Sequence, residues 1–98
     1  MSKITVKKII IGKHTLWAAF MPLQAKNLIV IKGRKGYVMC GYLNLKVANT
    51  FQDVAIKITG VSTVGDALKA CVHSCTYPAK QLGIYKGQAI RDVLKIIA

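Results

Sequence analysis

The chain has 98 residues, 53% of them hydrophobic, with fifteen Lys and Arg against three Asp and no Glu, for a formal charge of +12. That length has room for one domain and one core, burying roughly 60–65% of the surface that the unfolded chain exposes, and the apolar fraction argues against a disordered tail of any length. No apolar run approaches the ~18 residues of a membrane helix, and Lys13 and His14 interrupt the apolar stretch that a secretory signal would need.

Residues 3–11 alternate in part, with Ile4 and Val6 on one face and Lys3, Thr5 and Lys7 on the other, before the run Ile9, Ile10, Ile11. This predicts a strand. Gly12 and Lys13 turn the chain, and residues 14–21 return as a second strand, Leu16, Ala18 and Phe20 against Thr15, Trp17 and Ala19, ended by Pro22. Residues 27–32 hold the uninterrupted set Leu28, Ile29, Val30 and Ile31, the pattern of a strand covered on both faces. Gly33-Arg34-Lys35-Gly36 has the glycines and length of a hairpin loop. Residues 37–40 then pair antiparallel with the preceding strand, Val38 and Cys40 on one face and Tyr37 and Met39 on the other.

After Gly41 the period changes. Asn44 caps a helix over 45–52 whose Val47, Ala48 and Phe51 fall on one stripe. Residues 53–59 alternate again, Val54, Ile56 and Ile58 inward, and Gly60 closes that strand. Thr63 and Asp66 resemble a capping box for a helix over 63–70, with Val64, Ala67, Leu68 and Cys71 at helical spacing. Residues 71–75 extend as a last strand, and Thr76 caps a helix that holds Pro78 in its first turn and stops at Gly83. Residues 88–98 form a terminal helix with Ile90, Val93, Leu94 and Ile97 on one face and Lys95 in its last turns. The expected fold is α+β: a mixed sheet of five to six strands with three to four short helices packed on it, strand-rich in the N-terminal half and alternating in the C-terminal half.

The run from Lys35 to Asn44, Lys-Gly-Tyr-Val-Met-Cys-Gly-Tyr-Leu-Asn, resembles the signature of the YunC-like proteins, a small family of uncharacterised function. The resemblance extends to Asn27–Ile31, Val47-Ala48-Asn49, Phe51, Asp53, Gly60-Val61, Asp66, Leu68, Ser74, Ala79–Ile84, Gly87 and Leu94. It implies a mixed α and β fold and no particular activity. Gln52 stands where the family usually has a glycine, and residues 88–92 replace a more polar, glycine-containing stretch. The element order is also similar to the core of cytidine-deaminase-like domains, but those need a Glu and a Cys-x-x-Cys, and this chain has no Glu and only Cys71-x-x-x-Cys75. Deaminase chemistry is excluded.

Several residues have both a functional and a structural reading. Cys40 is a thiol at a strand end before a glycine and a helix start, where the helix dipole and nearby lysines favour reactivity and a thiol-dependent enzyme becomes conceivable. A buried free cysteine more often behaves as a small apolar residue. Asn44 is either a ligand-binding amide or simply an N-cap, Asp53 either a site carboxylate or an ion-pair partner, and Asp66 and Asp92 suit first helical turns. His14 and His73 lack a second ligand at metal spacing, and Cys71, His73 and Cys75 crowd together without a fourth. No metal or cofactor is expected.

The positive charge favours anionic partners. The preferred expectation is a pocket where Cys40, Gly41 and Asn44 meet Asp53 and the turn at Gly60, binding a small anionic ligand. An alternative is non-specific nucleic-acid binding through basic surface, with Lys32, Arg34 and Lys35 as its densest group. Three cysteines, an odd count without the dense spacing of a disulfide framework, point to a reducing cytoplasm. The surplus of apolar residues favours a homo-oligomer, and no membrane partner is expected.

Overall fold

The structure, a computed structural model, describes residues 4–98; Lys3, the first residue of the expected N-terminal strand, lies outside them. Six strands form one sheet in chain order: β1 (Thr5–Ile11), β2 (His14–Pro22), β3 (Asn27–Lys32), β4 (Tyr37–Met39), β5 (Ala55–Lys57) and β6 (Ser74–Cys75). Every neighbouring pair is antiparallel except β4 and β5, which are parallel. Helix α1 (Leu45–Thr50) makes the crossover between those two, α2 (Val64–Lys69) links β5 to β6, and α3 (Tyr77–Gln81) and α4 (Ile90–Ile97) follow. The fold is the expected α+β arrangement of a mixed sheet and short helices.

The main core lies on one face of the sheet. Leu16, Ala18, Ile29, Ile31, Val38, Ile56 and Ile58 meet Ala67 of α2, Ala79 of α3 and the apolar stripe of α4, all buried. The other face has a smaller core in which α1 packs Ala48 and Leu45, with Leu43, onto Ala55, Tyr37 and Met39. Alternation in β4 thus serves both layers, Val38 facing one and Tyr37 and Met39 the other. Leu28 and Val30 of β3 are only partly buried, so the strand is not covered on both faces along its length.

Local capping follows the side chains. Asn44, Thr63 and Thr76 each accept a backbone N–H at the start of α1, α2 and α3, as short polar residues at N-caps do. The elements are shorter than periodicity suggests. The strand expected over 53–59 spans three residues, and that over 71–75 contracts to Ser74–Cys75, with Cys71 in an isolated bridge to Ala89.

Two apolar faces that the spacing defines are left uncovered. In α1 the stripe of Val47, Ala48 and Phe51 is not buried as a unit: Ala48 is covered, while Phe51 is 71% exposed and Val47 about half exposed. The helix is less than two turns long and meets β5 through its Leu45–Ala48 side, leaving the flank of Phe51 over solvent. In β1 the apolar face formed by Ile4 and Val6 points away from the core, and Ile9 and Ile11 pack towards it. The register pairs Ile9 with buried Leu16, which places Thr5 and Lys7 on the core side and Val6 on the outer side.

Candidate functional site

The parallel pair creates the site. From the carboxyl end of β4 the chain leaves to α1 on one face, and from the carboxyl end of β5 it leaves to α2 on the other. Connections that part to opposite faces leave a crevice at the strand ends, the place where open α/β sheets bind ligands. A cavity of about 590 Å³ lies there, lined by residues 25–27, 40–42 and 59–62.

Cys40 forms part of its floor. It is 4% exposed and belongs to the main core. Its backbone N–H donates to the Ile29 carbonyl at 3.1 Å, and its Sγ lies 3.4 Å from the Ile29 nitrogen and 3.5 Å from the Asn27 carbonyl oxygen. These contacts tie the thiol to the start of β3 and account for it as a packed wall residue. Gly41 follows at the rim, with open space where a Cβ would stand. Tyr42 is half exposed and its hydroxyl lies 3.5 Å from the Lys26 carbonyl. Gly60 turns the opposite wall with φ +72°, a conformation glycine adopts freely.

The walls are bonded to each other. Asn27 donates its Nδ2 to the Ser62 carbonyl at 2.9 Å, linking the start of β3 to the turn before α2. That turn is held by Asp66, whose carboxylate accepts the Ser62 N–H at 3.1 Å while its own N–H donates to Thr63 Oγ1 at 3.0 Å. Among the described residues that line the cleft, Lys26 is the one with a charged side chain.

Of the five residues expected to form the pocket, Cys40, Gly41 and Gly60 come together. Asn44 does not line it; its Oδ1 accepts the Val47 N–H at 3.2 Å as the cap of α1. Asp53 lies at the amino end of β5, opposite to Gly60, where it accepts the Tyr37 hydroxyl at 2.9 Å. Lys26, Asn27, Tyr42, Thr59 and Ser62, with Ala25, are the cleft residues that sequence reasoning missed. The β3–β4 hairpin carried a signal for the first two: extending its observed register beyond Val30 and Met39 sets Asn27 opposite Tyr42. Nothing local marks Ser62.

Lys32, Arg34 and Lys35 are exposed and sit together at the other end of the β3–β4 hairpin, away from the cleft. Cys71 and His73 are exposed and Cys75 is buried. Among the described residues no group of three or more His, Cys, Asp or Glu could hold a metal ion, and no helix is long and apolar enough to cross a membrane.

Residues 39–97, which include the Cys40–Tyr42 rim, all of β5 and the Gly60 turn, match the family model described as Domain of unknown function (DUF1805). The chain belongs to the DUF1805 family. It is 30% identical over 95 residues to the uncharacterized protein YunC of Bacillus subtilis (strain 168), covering 93% of this chain and 94% of that protein. A crystal structure of a protein of unknown function from Thermoplasma acidophilum superposes with a TM-score of 0.95 at 34% identity, covering 99% of this chain and 95% of the other. The resemblance read from residues 35–44 therefore stands. Within the DUF1805 match fall two of the three cleft walls, whereas residues 25–27 precede it.

Proposed function

We propose that this DUF1805 protein binds a small anionic molecule in the cleft at the carboxyl ends of β4 and β5. The observation that carries the reading is the position of the cleft, at the point where the two connections of the parallel pair part to opposite faces. Its size is that of pockets that enclose small molecules. Its charge supports an anion, because Lys26 is the only charged lining residue among the described residues and the chain as a whole carries +12. Cys40, Gly41 and Gly60 shape the floor and rim, Lys26 supplies the cation, and Asn27, Tyr42 and Ser62 offer polar atoms along the walls.

Gly41 makes the test clean. A Cβ there meets nothing within 4 Å and the residue needs no left-handed conformation, so Gly41→Trp fills the cleft without straining the backbone. In an NMR titration with inorganic phosphate and with a nucleoside monophosphate, the amides of residues 40–42 and 59–62 shift in the wild type, and Gly41→Trp abolishes those shifts while keeping the folded spectrum. Shifts spread over the lysine-bearing surface, or unaffected by Gly41→Trp, would overturn the assignment.

Self-association belongs to the same reading. Val47 and Phe51 of α1 and Tyr77 of α3 are exposed, and the Tyr77 N–H donates to Asn49 Oδ1 at 2.8 Å, so the two helices present their apolar side chains near one another. A reducing, cytoplasmic setting suits the three free cysteines.

A further inference from the structure

The outer face of the N-terminal strands bears a feature that the cleft does not use. The sheet register sets Trp17 directly opposite Lys8 on one side and Lys32 on the other, and Lys32 opposite Tyr37. Directly opposed residues share a face, so Lys8, Trp17, Lys32 and Tyr37 form one row across β1 to β4, about 14 Å long at the usual strand spacing. The row lies outside the main core, because the neighbours of Trp17 in β2, Leu16 and Ala18, are the ones that point inward. Trp17 is 47% exposed, and the Lys8 ammonium stands 5.6 Å from its ring centroid.

More cations gather at the same end of the sheet. The β1–β2 turn carries Lys13 and the β3–β4 loop carries Arg34 and Lys35, and both connections lie at the end of the sheet to which Lys32 points the chain. All five of Lys8, Lys13, Lys32, Arg34 and Lys35 are exposed. Two of the three acids stand on the opposite face, Asp66 on α2 and Asp92 on α4, and the third, Asp53, closes the β4 end of the row, its carboxylate held by the Tyr37 hydroxyl. α1 covers the outer face only over β4 and β5.

We infer that this face binds single-stranded nucleic acid, a base stacking on Trp17 between Lys8 and Lys32 while Lys13, Arg34 and Lys35 hold the phosphates. An open sheet face with an aromatic side chain among cations is how sequence-tolerant binders take single strands. A duplex does not fit, because its bases are stacked on one another and present no face to Trp17. Charge complementarity selects this occupant over a second copy, since two such faces brought together would confront one set of five cations with another. The inference is independent of the cleft, which lies at the opposite end of β3.

Trp17 is the only tryptophan in the chain, so its fluorescence reports on this face alone. The probe is a labelled oligo(dT) of about ten nucleotides, within the site sizes of single-strand binders, added at low salt. Expected are a rise in anisotropy, quenching of Trp17 at the same midpoint, and a log–log salt slope of about 0.7 per phosphate neutralised. Trp17→Ala weakens binding by about tenfold or more, Trp17→Phe retains most of it, and Lys13→Gln with Lys35→Gln lowers both affinity and salt slope. Lys69→Ala, on α2, leaves binding unchanged. Absence of binding at low salt, or equal affinity of Trp17→Ala and wild type, overturns the inference. So does Trp17 emission that neither acrylamide nor the oligonucleotide quenches, the mark of a face covered by a second copy.

Discussion

The Tyr37 hydroxyl donates to the Asp53 carboxylate at 2.9 Å, joining the amino ends of the two parallel strands. Burial first, and then the hydrogen bond and negative charge of Asp53, push the Tyr37 phenol from its ordinary 10.0 up to about 12. The folded state thus holds this proton more tightly than the unfolded state. Its stabilising contribution is complete below pH 10 and is lost as the pH rises from 10 to about 12. Urea unfolding across that window is expected to show a shallower alkaline loss of stability in Tyr37→Phe than in the wild type. Identical pH slopes would mean that the pair does not govern the alkaline limb.

Gln52 ends α1 in a conformation made for glycine. Its N–H donates to the Asn49 carbonyl and that of Asp53 to the Ala48 carbonyl, the paired bonds of a Schellman turn, with Gln52 at φ +61°. The same motif closes α3 with Gly83 at φ +90°. A left-handed non-glycine residue costs about 1–2 kcal/mol, offset in part by the greater freedom of glycine in the unfolded chain. Gln52→Gly is therefore expected to stabilise the protein by about 0.5–1 kcal/mol, raising Tm by a few degrees. A lower Tm in a thermal melt would refute this.

Among the described residues Thr76 is the one buried polar side chain, and its hydroxyl satisfies several groups at once. It donates to the Asp53 carbonyl at 2.6 Å and accepts the N–H groups of Ala55 at 3.1 Å and Ala79 at 3.4 Å. Thr76→Val keeps the shape and strands those partners. A loss of about 1–3 kcal/mol is expected from chemical denaturation, whereas Thr76→Ser, which keeps the hydroxyl, costs less. Equal losses in the two variants would mean that packing of the methyl, and not the hydrogen bonds, holds this junction.

The cysteines differ in access. Cys71 is exposed, Cys40 and Cys75 are buried, and burial pushes the Cys75 thiol up while the charge of Lys80 pulls it partly back. Iodoacetamide at neutral pH is expected to label Cys71 in the folded protein and the other two only after denaturation, as read by peptide mass spectrometry. Labelling of Cys40 as fast as Cys71 would instead point to a reactive thiol in the cleft floor.

Much of the local structure was legible because its causes are local. Asn44, Thr63 and Thr76 cap helices through bonds that reach three residues along the chain, and alternation alone separated Val38 and Cys40 from Tyr37 and Met39. The candidate site was legible only in part. Cys40, Gly41 and Gly60 were found because strand ends and glycine turns mark the chain. Asp53 was grouped with Gly60 although a strand lies between them, and at about 3.3 Å per residue their separation spans the sheet.

Residue type and spacing by themselves determined the elements, the α+β class, the family and the sign of the charge. The tertiary structure decided which faces are covered and which chain ends meet. Gly36 looked like a hairpin glycine, but a Cβ there would lie 2.6 Å from Val54 Cγ1, so it also admits the segment leading into β5. Val47 and Phe51 have helical spacing and no layer above them, while Lys26, Asn27 and Ser62 come together with Cys40 only because β3 begins where β4 and β5 end. Capping and periodicity act over a few residues and can be read along the chain. Burial and proximity depend on what a distant segment brings, and at the cleft that is set by one parallel pair whose connections leave to opposite faces.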